Sequence, residues 1–181
     1  MKKRTVLYIT AVVLVLAVWV CLMSGSKKID TVVQATEFSF ADPDYRAERT
    51  VTIQGYDTRN LLGKGKFEGI FAAPGWETLQ ENWSVVVVFP MPDHYLNVWY
   101  QRPEGYWTTG ELASLLPSRD WANFVCLFQE SWVDDDGSRR TSLDPETCRF
   151  LVSGSLPRDE ALALAADLTK GTPLEPVFTN R

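Results

Sequence analysis

The residues able to do chemistry are few and scattered. There is one histidine, His94, within Met91-Pro92-Asp93-His94-Tyr95, and three cysteines, Cys21, Cys126 and Cys148. A serine–histidine–acid mechanism needs three side chains brought together by the fold, which spacing along the chain does not specify. No Gly-x-Ser-x-Gly elbow is present to present a nucleophilic serine. Cys126 stands inside an apolar run, a place for packing rather than for a cysteine nucleophile. With one histidine and no close cysteine pair, zinc has no ligand set. In Asp134-Asp135-Asp136-Gly137 the position opening a calcium loop is Trp132 and the twelfth is Leu143, so the segment reads as a solvated acidic turn. Gly63-Lys64-Gly65-Lys66 lacks the spacing and the hydroxyl of a phosphate-binding loop and reads as a hairpin turn. Two carboxylates for glycoside hydrolysis can be drawn from 23 acids, but nothing singles out a pair. No catalytic residue, metal ligand or cofactor motif emerges, so an enzyme is left open but disfavoured.

The aromatics are the more informative side chains. Six of the seven tryptophans lie beyond residue 26: Trp76, Trp83, Trp99, Trp107, Trp121 and Trp132. Most tryptophans in a small β domain pack its core or rim, but exposed aromatic faces also stack on sugar rings and anchor protein partners. Tyr95, Trp99, Tyr100, Tyr106 and Trp107 cluster in sequence and form the candidate binding surface. Cys126 and Cys148 offer a geometric expectation. They are symmetric about Gly137, so a hairpin turning there sets them opposite each other, with Phe124 against Phe150. A cross-strand disulfide and two buried thiols are equally consistent with that register.

These groups must be positioned by strands. Thr50 to Gln54, Lys66 to Ala72, Ser84 to Phe89, Tyr95 to Gln101, Trp121 to Gln129 and Cys148 to Ser153 are β-branched or aromatic runs between turn residues. The four valines within Ser84 to Phe89 predict a strand buried on both faces. Thr108 to Leu116 fits either a short capped helix or, from Glu111 to Leu115, a strand. Pro157, Asp159 and Glu160, followed by Ala161, Leu164, Ala165 and Leu168, predict a helix that Lys170-Gly171 closes. The fold class is therefore mainly β (α+β): an antiparallel sheet or sandwich with a C-terminal helix, preceded by an N-terminal transmembrane helix.

The N-terminus supports that last element. After Lys2, Lys3 and Arg4, the run Thr5 to Ser26 has no charge and spans about 33 Å as a helix, against roughly 30 Å of hydrocarbon. The cations hold the N-terminus in the cytoplasm and leave the rest outside. A cleaved signal peptide is the main alternative, with Ser24-Gly25-Ser26 offering small residues, although the apolar run is long for one. A lipoprotein reading of Cys21 is disfavoured by the branched Val20 before it. The expected organisation is an anchor over residues 1–26, a stalk over 27–48 within which Thr31 to Thr36 could already pair as a strand, and an extracytoplasmic β-rich domain over 49–181.

Composition fits this arrangement. The chain is 181 residues, 45% hydrophobic and 23% charged, which excludes a disordered chain or a polytopic membrane protein. Lys2, Lys3 and Arg4 take three of the eighteen bases, leaving fifteen against twenty-three acids beyond the anchor, a net of −8. So acidic a domain repels phosphate backbones, and no nucleic acid partner is expected.

The strand Arg49 to Gly55, the segment Asn60 to Gly69 and Arg158-Asp159-Glu160-Ala161, together with the anchor, resemble a loose group of uncharacterised single-pass proteins of Gram-positive bacteria. The resemblance implies an anchored extracytoplasmic domain of unknown role and carries over no site residue. The functional expectation is a non-enzymatic binding or interaction module at the cell membrane. Its partners are the bilayer, through the N-terminal helix, and another envelope protein or a wall glycan. The alternatives are an envelope hydrolase using paired carboxylates, or a secreted protein if the N-terminal segment is cleaved.

Overall fold

Period-two alternation across successive strands builds a sheet that curls toward a barrel. The computed structural model describes residues 2–23, 25–75, 84–91, 97–101, 107–108, 113–128, 130–133, 139–142, 144 and 146–179. After helix α1 (Lys2–Met23) come β1 (Lys27–Ser39), β2 (Arg46–Asp57), β3 (Gly65–Ala72), β4 (Ser84–Phe89), β5 (Val98–Gln101), β6 (Trp107–Thr108), β7 (Ala113–Pro117), β8 (Phe124–Phe128), β9 (Glu130–Val133), β10 (Arg139–Ser142) and β11 (Arg149–Ser153). Helices α2 (Arg158–Thr169) and α3 (Glu175–Thr179) close the chain. Nine strands form one antiparallel sheet in the order β6-β5-β4-β3-β2-β1-β11-β8-β7, and β9 with β10 forms a separate ribbon. Six of its eight pairings join strands consecutive in the chain, as in an up-and-down meander, and β11 is inserted between β1 and β8.

Among the described residues, the side chain of Asn97 joins the β5 side of the sheet to its other edge strand, β7. Asn97, fully buried just before β5, donates its Nδ2 to the Leu115 carbonyl at 2.7 Å, and its Oδ1 accepts from the Leu115 amide at 2.9 Å. The amide thus supplies the donor and the acceptor that a neighbouring strand would offer β7. Its own backbone carbonyl accepts from Val88 of β4. Inside the curled sheet lie Ile29, Val51, Ile53, Phe67, Phe71, Val85, Val87, Phe89, Leu115, Trp121, Phe124, Cys126 and Leu151, an interior filled with side chains. At one corner Gly55 and Gly69 face each other across β2 and β3, where a Cβ on Gly69 would lie 2.1 Å from the Gln54 carbonyl oxygen. Only glycine lets the two backbones approach so closely.

Outside, α2 and α3 cover one wall. Ala161 and Ala165 of α2, with Leu174, Val177 and Phe178, pack on Phe38, Leu116, Val125, Leu127, Phe150 and Val152. The helix begins after Pro157 with Asp159 and Glu160 in its first turn, as its sequence pattern predicts.

Three expectations need correction. The stretch 27–48 is no stalk, because β1 is a central strand bonded to both β2 and β11. Its hydrophobic alternation is blurred by Val32, 62% exposed on the outer face, and by Glu37, buried on the inner side. The domain therefore begins at Lys27, not at residue 49. The strand Ser84 to Phe89 is buried on one face only: among the described residues no helix covers its outer side, and Val88 is 39% exposed there. Of the two readings left open for Thr108 to Leu116, the described part is the strand: Ala113–Pro117 is β7.

The third correction concerns the cysteines. Cys126 faces Leu151 across β8 and β11, not Cys148. Six positions separate Leu127 from Val133 on the way out, but eleven separate Arg139 from Phe150 on the way back. The extra residues are taken up around Asp144, whose carbonyl accepts the amides of Thr147 and Cys148 and whose Oδ1 accepts that of Glu146. This shifts the register by an odd number, which moves Cys148 to the opposite face. Cys126 lies inside the barrel and Cys148 under the helices, so both are thiols and the disulfide is not formed. Burial pushes the Cys126 thiol far above its ordinary pKa, leaving it without thiolate chemistry.

Candidate functional site

Charged side chains occur at both mouths of the barrel, and their partners decide whether they are available for chemistry. At the end where β1 begins, Asp57 is paired in register with Lys27 and turns its carboxylate inward. Arg59 grips that carboxylate, with Nε 2.8 Å and Nη2 2.6 Å from Oδ2. The backbone amide of Arg59 and the indole Nε1 of Trp121 donate to it as well, at 2.9 and 2.8 Å. Arg59 spends its remaining donors on the carbonyls of Pro117 and Ser118, and its guanidinium lies 4.4 Å from the Phe89 ring centroid. Trp121 reaches this position with φ at 66°, a conformation a bulky residue adopts only where its surroundings compel it. Burial alone would raise the Asp57 carboxyl, but the hydrogen bonds from Arg59 and Trp121 and the adjacent positive charge outweigh it and hold the group below the ordinary carboxylate range.

At the other mouth Glu37 is wholly buried. Arg49 donates to its Oε2 at 2.8–2.9 Å, and Arg149 and the Tyr45 hydroxyl each donate to Oε1 at 3.1 Å. Both buried carboxylates are thus tied to arginine. A general acid needs the reverse of what Asp57 has, a proton retained near neutral pH. Among the described residues no group of three or more His, Cys, Asp and Glu side chains is placed to hold a metal ion. His94 lies outside the described residues.

The uncovered wall of the barrel is a different kind of surface. Across β1 to β5, Lys28 stands beside Tyr56, Tyr56 beside Glu68, Glu68 beside Val86, and Val86 beside Trp99. At about 4.8 Å per strand this outward row is about 19 Å long. Tyr56 is 56% exposed, Trp99 and Val86 are half-buried, and Val88 lies one step along the same face opposite Lys66. Lys66 pairs with Glu68, and Lys28 with Asp30. The result is an outward strip with Tyr56 on one side and Val86, Val88 and Trp99 on the other, crossed between them by the Lys66–Glu68 ion pair and bordered by Lys28 and Asp30.

Of the five aromatics expected at a binding surface, Trp99 lies on this strip. Tyr100 is next to it in β5 and Trp107 is in β6, where Tyr100 pairs with Thr108 and Gln101 with Trp107. Tyr95 and Tyr106 lie outside the described residues. Tyr56, Val86 and Val88 join the strip without having been anticipated. Their signal was available as alternation: in β4 the inward positions are Val85, Val87 and Phe89, which leaves Val86 and Val88 outside.

No family model, curated protein or solved structure matches the chain.

Proposed function

We propose that the chain is a single-pass membrane protein whose barrel presents the strip around Trp99 to a partner in the cell envelope, without catalysing a reaction. The observation that carries this reading is the contrast between the two walls. One is covered by α2 and α3, while the other leaves Tyr56 and Val88 exposed, with Val86 and Trp99 half-buried on the same outward face. The filled interior and the arginine-bound carboxylates favour binding over hydrolysis.

The anchor rests on α1. Tyr8, Ile9, Val12, Val13, Leu14, Val15, Leu16 and Trp19 are all more than half exposed, so these apolar side chains find no protein surface. A helix apolar on every side belongs in lipid or in a protein core. Among the described residues no helix is long and apolar enough to cross a membrane, and of the side chains in α1 only those of residues 8–17 and 19 are described. The uncharged run extends beyond them, from Thr5 to Ser26. Tyr8 stands near its N-terminal end, where aromatic rings favour the lipid–water interface.

A photo-crosslinking residue at position 88, in the full chain expressed in its membrane, tests the strip. A discrete adduct with one envelope protein or with wall glycan is expected, and Trp99→Ala should remove most of it. An adduct of equal strength in the Trp99→Ala chain, or none at all, rules out the strip as the binding surface.

A further inference from the structure

At the mouth where β1 begins, the β2–β3 connection carries two leucines outward at its tip. Leu62 is 81% exposed and Leu61 44% exposed. A single exposed leucine needs no explanation, but two adjacent ones at the tip of an ordered turn form a wedge. The turn is built to hold them there. The Oδ1 of Asn60 accepts the amides of Leu62 and Lys64, at 2.9 and 3.1 Å. The Asn60 amide donates to the Lys64 carbonyl at 2.8 Å, and Gly63, with φ at 75°, donates to the Asn60 carbonyl at 3.0 Å. Arg119 reaches over from the β7–β8 connection and donates to the carbonyls of Asn60 and Arg59, at 2.6 and 2.9 Å. The amides of Asn60, Leu62, Gly63 and Lys64 are therefore satisfied without water, which lowers the cost of entering the hydrated lipid–water interface.

Position supplies the second argument. Residues 24–26 alone separate α1 from β1, and three residues reach about 10 Å at most. Lys27 is paired with Asp57, so the turn begins level with the point where the chain leaves α1 and projects past it. Charge supplies the third. Residues 58–67 contain Arg59, Lys64 and Lys66 and no acid, in a chain of 23 acids and 18 bases. Lys27, Lys28 and Arg119 stand at the same end, with Asp120 close to Lys27 and Asp30 and Glu68 paired to lysines.

From these observations we infer that Leu61 and Leu62 insert into the lipid–water interface of the membrane that α1 crosses, with Lys27 and Lys64 at the headgroups. This inference rests on the anchored reading above. The barrel then stands on the bilayer at a second point besides its anchor, which fixes its tilt and leaves the Trp99 wall upright, facing sideways along the membrane.

The test uses the full chain, with Cys21→Ser, in vesicles of phosphatidylcholine and phosphatidylglycerol. A polarity-sensitive dye is attached through Leu62→Cys or, as a control at the opposite mouth, through Asp44→Cys. Cys126 and Cys148 are buried and do not compete for the label. Flotation establishes in each sample whether the chain is held by the vesicle. The expected result is a blue-shifted dye at position 62, strongly quenched by nitroxide-bearing lipid and severalfold less open to iodide than the dye at position 44. A floating chain whose position 62 is as open to iodide as position 44 overturns the insertion while leaving the anchor intact. Shielding from iodide without lipid quenching overturns it too, since protein rather than lipid then covers the turn. A chain that fails to float refutes the anchored reading and the insertion with it.

Discussion

Replacing Arg59 with methionine is expected to destabilise the barrel by about 3–5 kcal/mol, the cost of removing one partner from a buried ion pair. Asp57 and Arg59 are only 5% and 7% exposed as side chains, so water cannot replace the lost guanidinium. Asp57 would keep the Trp121 indole, but the Pro117 carbonyl would lose the Arg59 donor and that of Ser118 would be left with the Trp121 amide. Urea unfolding of the full chain in detergent, followed by tryptophan fluorescence, measures the effect. Replacing both members, Asp57→Leu with Arg59→Met, should recover part of the loss, because the uncompensated charge disappears with its partner. The same pair sets an acid limb. The folded-state pKa of Asp57 lies below its ordinary value of 3.8, so its contribution is complete above that value and is lost as the pH falls through the folded value. Asp57→Asn should flatten the acid limb of the stability curve. An unchanged midpoint in Arg59→Met would show that the cluster does not hold the mouth together.

The second large effect is expected at the seam. Asn97→Leu is close to the same size but leaves the amide and the carbonyl of Leu115 buried without partners. At about 1–3 kcal/mol for each of the two orphaned groups, the loss is about 2–6 kcal/mol. Amide exchange locates it: the Leu115 amide should exchange far faster in the variant, while Ile53 amide protection falls only as far as the global stability does. Uniform loss across the sheet would mean that Asn97 acts as ordinary core packing and that the seam is closed by other contacts.

These features also show where sequence reasoning stops. β4, β11 and α2 were legible because each has local punctuation, a period of two or of 3.6 bounded by turn or capping residues. β1 was not, because Val32 and Glu37 invert the pattern that would have marked its faces. Glu37 is tolerable inward only because Arg49 and Arg149 meet it from strands 12 and 112 residues away. No local pattern encodes such partners. The hairpin centred on Gly137 failed for a related reason. The turn signal there is real, but it belongs to the β9–β10 ribbon, and the residues around Asp144 reset the register before β11. The aromatic cluster was read as a run along the chain, whereas the surface is a row across strands. Trp99 therefore keeps company with Tyr56 and Val86, far from it in sequence but close in the sheet.

The central claim is that the barrel stands on the outer side of a membrane crossed by α1. Protease shaving of intact cells expressing the full chain with a C-terminal tag tests it most directly, with the outer membrane opened first in a Gram-negative host. The account predicts loss of the tag and a short membrane-bound stub that retains the N-terminus. A tag that survives until the cells are lysed would place the barrel inside the cell and contradict the account.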